Sequence, residues 1–532
     1  MDQIRSLFLI LLLSICFGAC SESDTHQSEA IPYAPSERGN DSIPETKDSV
    51  PDTKKDSISK PEPIAPELIT MAFLATNNPK HIKSDVNCEI IGDSIVECWL
   101  PGIHEDKVLI PNFSFEGDSV VVTQKKIISG ETKINFKRPF NLSVLSGYKT
   151  RTYTVYVHTY TGLPILWIDT KNHQQITSKY SYLDAHMKLE EDVVTRLAGE
   201  IVEADLQIKG HGNTTWSSKV NKKSFRLKFS DKVSLLGEPK NKSWVLLANY
   251  YDKTMLRNQI ASYLGSISLM DYTPKFHFVE LMLNEKYNGT YQLGDKINVN
   301  KHRVNVGDDG YLLEFDARAT SEDITIKVQH QQVPIVIKEP DLEDGDERYN
   351  YIHDYILEAE ECLFSSKFTD PDLGWKKYMD MDSFVDWYLI NEIAKNNDAC
   401  LFASCFLNLQ RGGKLKMGPI WDFDMAFGRT SANSNDDPKG FWIRKTPWFK
   451  RMFEDPAFKA RVKERFDYFY SHRYDIMKEI DDNVKYLQYS VVENEHKWNI
   501  LKSSAPWDKY QKTVDNLKDW ILQRFEWLKA NY

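Results

Sequence analysis

The chain has 532 residues, 41% of them hydrophobic and 12% aromatic, and its 67 basic and 77 acidic side chains leave a net charge of −10. That length exceeds one ordinary core and implies two or more domains, while the apolar content suits a folded, secreted-type protein. The acidic balance argues against a general nucleic-acid binder, and seven cysteines without a C-x-x-C pair argue against a zinc site or a disulfide scaffold.

Residues 1–20 carry Arg5 ahead of an apolar run from Leu7 to Phe17, too short to span a bilayer stably and suited to a signal-peptide core. Phe17-Gly18-Ala19-Cys20 reads as a lipobox, which predicts Cys20 as the acylated first residue of the mature chain. Residues 21–66 are rich in Ser, Asp, Glu, Lys and Pro and nearly devoid of aromatics, so they read as a disordered tether. Together they predict a membrane-anchored lipoprotein of the cell envelope or outer surface.

Residues 67–161 show short alternating runs between turn signals, at Cys88–Ile91, Ser94–Leu100, Lys107–Phe113, Ser119–Thr123, Lys133–Phe136 and Tyr153–Val157. That spacing predicts an all-β, immunoglobulin-like sandwich serving as a spacer or recognition module. Cys88 and Cys98 flank a turn at Gly92-Asp93; they either pair across strands or pack as small apolar side chains.

Residues 162–532 read as an α+β unit. A strand at Leu163–Asp169 opens it, and Ile208–Trp216 forms a small-residue loop. Gly210 and Gly212 let backbone N–H groups approach a phosphate there, with Asn213 alongside. Ser224–Phe229 alternates, with Phe225, Leu227 and Phe229 on one face and Arg226 and Lys228 on the other. A basic residue on a strand after a glycine loop suits a phosphate-pairing role; Lys223, Arg226 and Lys228 are the candidates, Lys228 first. Asp252 leads a predicted helix, Met255–Leu264, whose Arg257 either pairs with a carboxylate or faces water. Phe276–Asn284 and Tyr287–Asp295 read as a hairpin, and Tyr311–Asp316 as a buried strand bearing Glu314.

The stretch Asn391–Gly428 carries the densest chemistry. A helix capped by Ser383, with Asp386 as its capping-box partner, runs into Asn396-Asn397-Asp398. An apolar run, Leu401–Leu409, a turn at Gly412-Gly413 and a second run lead to Trp421-Asp422-Phe423-Asp424. A hairpin brings its ends together, so Asp398 and Asp422, 24 positions apart (422 − 398), are expected to face one cleft. Phosphoryl transfer needs that arrangement: one carboxylate to orient the nucleophile and another to hold a metal.

NNDACLFASCFLN followed by GPIWDFDMAFG resembles the core of the CotH family, the spore coat protein H-like atypical kinases. IKGHGNTTW, KKSFRLKF, SWVLLANYYDKTMLRN, YNGTYQLGDKI and GYLLEFD extend the resemblance over about residues 163–532 in the family's order. The resemblance implies an atypical protein-kinase-like domain with a helical C-terminal cap. It implies Asp398 as the residue orienting the acceptor hydroxyl, Asp422 as a Mg²⁺ ligand assisted by Asp424, and Glu314 near the nucleotide base. Asp295 stands where the family has Glu, the partner of the strand lysine, and His211 where it has Arg. Protein kinases place an Asn five residues after the base; here that is Ala403, and either Asn408 takes the metal role or Asp422 and Asp424 hold it alone. The implied function is transfer of phosphate from Mg-ATP to a Ser/Thr-type protein acceptor. The alternative is a non-catalytic surface protein that keeps the fold. A third reading, a metal-dependent hydrolase, lacks the clustered His ligands expected of one.

Overall fold

The structure, a computed structural model, describes residues 62–82, 85–102, 107–190, 201–343, 345–430 and 434–532. The expected leader, its Cys20 and the tether as far as residue 61 lie outside the described residues. The chain enters at Glu67–Phe73, an alternating strand that buries Leu68, Met71 and Phe73. The β-rich N-terminal region forms three-, six- and two-stranded sheets. Phe73, Val96, Leu142, Val144 and Val155 pack in its core. In the hairpin of that region Glu89 faces Glu97 and Ile90 faces Val96, so the next pair outward is Cys88 and Cys98, and they form a disulfide. Within the six-stranded sheet Ile95–Pro101 runs parallel to Lys149–Tyr160.

The strands from Ile165 to Asp295 close into a barrel. Its order around the wall is Ile165–Thr170, Leu183–Glu190, Ile201–His211, Ser224–Val233, Asn241–Leu247, Lys286–Asp295 and Phe276–Leu283. The last returns to pair in parallel with the first, Ile165 facing Glu280. Closure leaves no edge strand exposed. Alternation sends Leu166, Ile168, Met187, Ile208, Phe225, Leu227, Trp244 and Tyr291 inward to fill the interior. The residues between them, Arg226 and Lys228 among these, point out of the barrel.

The second lobe holds a five-stranded sheet in the order Thr325–Ile326, Ile335–Glu339, Tyr311–Phe315, Cys405–Leu409, Lys416–Met417. The helix Met381–Ala394 runs through its core, buried on every side from Ser383 to Ala394. A helix without a polar face belongs in the middle of a core. Its N-cap is Asp380, which accepts the Ser383 N–H at 2.9 Å; Ser383 lies inside the first turn and does not cap it. Asp386 is no capping-box partner either, because it meets Arg465 through two hydrogen bonds of 2.8 and 2.7 Å. Glu392 on the same helix accepts from Arg524 at 2.8 Å and from the backbone of Trp442 and Ile443 at 2.7 and 2.9 Å. The C-terminal helix Pro506–Asn531 buries Leu517, Ile521, Phe525 and Leu528 along one stripe.

Candidate active site

A cleft of about 630 Å³ separates the outer barrel wall from the loops of the helical lobe. It is lined by Asp398, Asp422 and Asp424 from one side and by Lys209, Arg226 and Lys296 from the other. Local sequence explains how the acids arrive. Lys395 ends the central helix in the left-handed conformation, φ 46°. Its ammonium donates to the carbonyls of Ser434, Asp437 and Lys439 at 2.9, 2.7 and 2.7 Å. The chain then turns into Asn396-Asn397-Asp398, where Asn397 Nδ2 donates to Asp398 Oδ1 at 3.0 Å.

The hairpin Cys405–Leu409/Lys416–Met417 carries the chain back to Asp422, which is left-handed at φ 64°. A non-glycine residue persists there only when its surroundings fix it. Asn396 Nδ2 donates to the Asp422 carbonyl at 3.3 Å, and Asn258 Oδ1 accepts the Phe423 N–H at 2.9 Å. Arg257 Nε donates to the Ala426 carbonyl at 2.9 Å. Arg257 is buried and also paired with Asp252, whose other oxygen accepts the Arg257 N–H at 2.9 Å. The helix Arg257–Ser266, predicted two residues early, thus props the acidic loop from behind.

The electrostatics follow from this crowding. Burial pushes the Asp422 carboxyl up to about 6, reinforced by Asp398 and opposed by Arg318 and by the Ser404 hydroxyl at 3.5 Å. Asp424 is raised well above the usual carboxylate range, by burial first and then by Asp422, Asp252 and Asp398. Like charges that raise one another share one space. Glu314 is also raised by burial, moderated by Lys338 at 3.4 Å, and it accepts the Ser404 N–H at 3.1 Å. Across the cleft, burial and Arg226 push Lys296 down to about 8. His211 falls to about 3, through burial and then through Lys296, Arg226 and Lys209, so it stays neutral. Arg226 Nε is buried and has no hydrogen-bond partner. A buried unpartnered donor beside two more cations fits an anion.

The cleft therefore gathers Gly210, Gly212, Asn213, Arg226, Glu314, Asp398, Asp422 and Asp424. Four expected site residues lie elsewhere. Lys228 is one strand repeat beyond Arg226, exposed, with its ammonium 5.9 Å from the Tyr182 ring. Lys223 turns to the Ser217 carbonyl at 2.8 Å. Asp295 does not pair with a strand lysine, because it points behind the cleft to Arg303 at 2.7 Å and Tyr272 at 3.0 Å. Asn408 holds the hairpin, donating to the Gly418 carbonyl at 3.0 Å. Gly210 has a packing reason for lacking a side chain, since a Cβ would meet the Trp216 ring at 2.2 Å. Its N–H is already given to the Ser178 carbonyl at 2.9 Å. Sequence reading missed Lys296, Lys338 and Arg318. The signal for Lys296 was available: strand alternation puts it on the face opposite Asp295.

Among the described residues no three His, Cys, Asp or Glu side chains stand close enough to form a metal shell by themselves. Two under-neutralised carboxylates with open cleft around them fit a hard cation that takes its remaining oxygens from phosphate and water, as Mg²⁺ does.

A barrel, a helical lobe and a cleft between them lined by acids and bases define a two-lobed class of protein with a charged cleft. A family model described as CotH kinase protein matches residues 206–528, and the chain belongs to that family. No curated protein matches it. Among solved structures, a crystal structure of a candidate glycoside hydrolase from Bacteroides thetaiotaomicron is similar over 56% of this chain and 89% of its own, at 12% identity and a TM-score of 0.15. A likeness that low says nothing about the cleft.

Proposed function

We propose that the cleft transfers the γ-phosphate of Mg-ATP to the hydroxyl of a Ser/Thr-type protein acceptor. One observation carries this reading: Asp398 and Asp422 raise the same cleft's negative charge while Arg226, with an unpartnered buried donor, faces them. When bound, the cation would supply positive charge to neutralise what builds on the phosphate during transfer. Asp422, with Asp424, would hold it. Arg226 and Lys296 would bind phosphate oxygens, and the neutral His211 would pack without adding charge. Asp398, half-open to solvent and steadied by Asn397, would orient the acceptor hydroxyl and take its proton late in the transfer. Ser404, with its N–H on Glu314 and its hydroxyl at Asp422, would fix the loop between the two acids. On the same reading the chain is a lipoprotein held at the membrane through Cys20, with a tether to residue 66. The β-rich region 67–161 is an immunoglobulin-like spacer ahead of the kinase-like domain 162–532.

The test is thermal unfolding of the purified protein with ATP, with and without Mg²⁺, alongside radiolabel transfer to Ser-containing proteins. A Mg-dependent rise in midpoint that Asp422→Ala loses, together with label transfer, supports the reading. No rise in either protein sinks it and favours the non-catalytic alternative.

A further inference from the structure

Arg318 lines the cleft and contacts Asp398, the carboxylate assigned above to the acceptor hydroxyl. It follows the strand Tyr311–Phe315 in a turn fixed by two hydrogen bonds: its own N–H to Asp316 Oδ1 at 2.9 Å, and the Ala317 N–H to the Phe402 carbonyl at 2.7 Å. That second bond ties the turn to the loop that follows Asp398. The guanidinium lies 5.8 Å from the Phe402 ring and reaches Asp398 Oδ2 with Nη2 at 3.5 Å. Its side chain is 42% exposed and that of Asp398 26%. A 3.5 Å contact at such exposure holds weakly, and a guanidinium has five donors in a planar fork made for a carboxylate.

We propose that Arg318 selects acceptors carrying a carboxylate beside the hydroxyl, exchanging its loose contact with Asp398 for a forked pair with that carboxylate. The exchange releases Asp398 to face the hydroxyl. This rests on the phosphotransfer reading for its biological sense, but binding tests it without turnover.

The experiment uses three fluorescently labelled Ser peptides, flanked by Glu, by Gln or by Lys, with binding followed by anisotropy in the absence of nucleotide. The Glu peptide is expected to bind most tightly and to weaken as salt is added. Arg318→Gln should weaken it roughly tenfold, to the level of the Gln peptide, as loss of one charge-assisted fork implies. Asp398→Asn removes the acid that occupies Arg318 and should tighten the Glu peptide, a gain that a purely structural role would not produce. Arg318→Lys, keeping charge but not the fork, should fall between and guards against a folding defect. Equal binding of the three peptides, or a Glu preference untouched by Arg318→Gln, overturns the proposal. Label transfer without acidic preference would overturn it alone, whereas acidic preference without any label transfer would sink the phosphotransfer reading and leave the Arg318 site standing.

Discussion

Two sets of acids, one buried on the central helix and one lining the cleft on the loop after the hairpin, sit within the same lobe and behave oppositely. Asp386 and Glu392 lie on the helix Met381–Ala394 and are fully buried, yet each meets an arginine and backbone donors. Asp422 and Asp424 are raised by burial and by neighbouring acids, with Arg318 and Arg429 as opposing influences. A protein core tolerates a carboxylate when its charge is answered inside the fold. The helix acids are answered there and hold the lobe together. The loop acids are left to be answered by something the cleft receives. Crowded charge therefore marks function only where the compensation is incomplete.

Breaking the compensated set should have the largest effect. Arg465→Ala strands the Asp386 carboxylate in the core and should cost about 3–5 kcal/mol of stability, read from denaturant unfolding. Breaking the basic wall of the other set should leave stability nearly unchanged. Arg226→Ala should weaken Mg-ATP binding roughly tenfold by titration calorimetry, whereas Lys228→Ala, two residues along the same strand, should change it little. Equal effects of the two would mean that the outer face of the strand, and not the cleft, meets the nucleotide.

The smallest effect sharpens the contrast through pH. Because the folded Asp422 carboxyl titrates near 6 and an unfolded one near 3.8, the folded state binds more protons between those values. Its contribution thus favours the fold at low pH and is lost as pH rises through 6. Asp422→Asn should raise the thermal midpoint only slightly at pH 7, because solvent screens an exposed carboxylate, with the gain fading below pH 6 towards the ordinary carboxylate range at about 4. Mg²⁺ binding to the parent should strengthen over the same interval, since cation and proton compete for one group. A midpoint difference that grows towards acid would contradict the crowding described for Asp422 and Asp424.

The hairpin that returns Asp422 towards Asp398 was legible because it depends on local periodicity and turn residues, whereas the strands Leu183–Glu190 and Ile335–Glu339 were not foreseen and residues 208–211, read as a loop, end a barrel strand. Leu517, Ile521, Phe525 and Leu528 declare one helix face whatever surrounds them, and Gly412-Gly413 declares a turn. The Cys88–Cys98 pair was only one of two local options until the facing strands fixed it. Long-range choices were not legible. Nothing local distinguishes Arg226 from Lys228, because both alternate outward on one strand; the barrel's closure decides which meets the cleft. Nothing local tells that Asp386 will meet Arg465, 79 residues away, or that Asp295 will turn to Arg303. Which side chain lies on a face is settled by the 2.0 and 3.6 periods of the backbone. Which charge finds a partner is settled by packing between distant segments, since a buried ion is stable only where the whole fold brings its counter-charge to it.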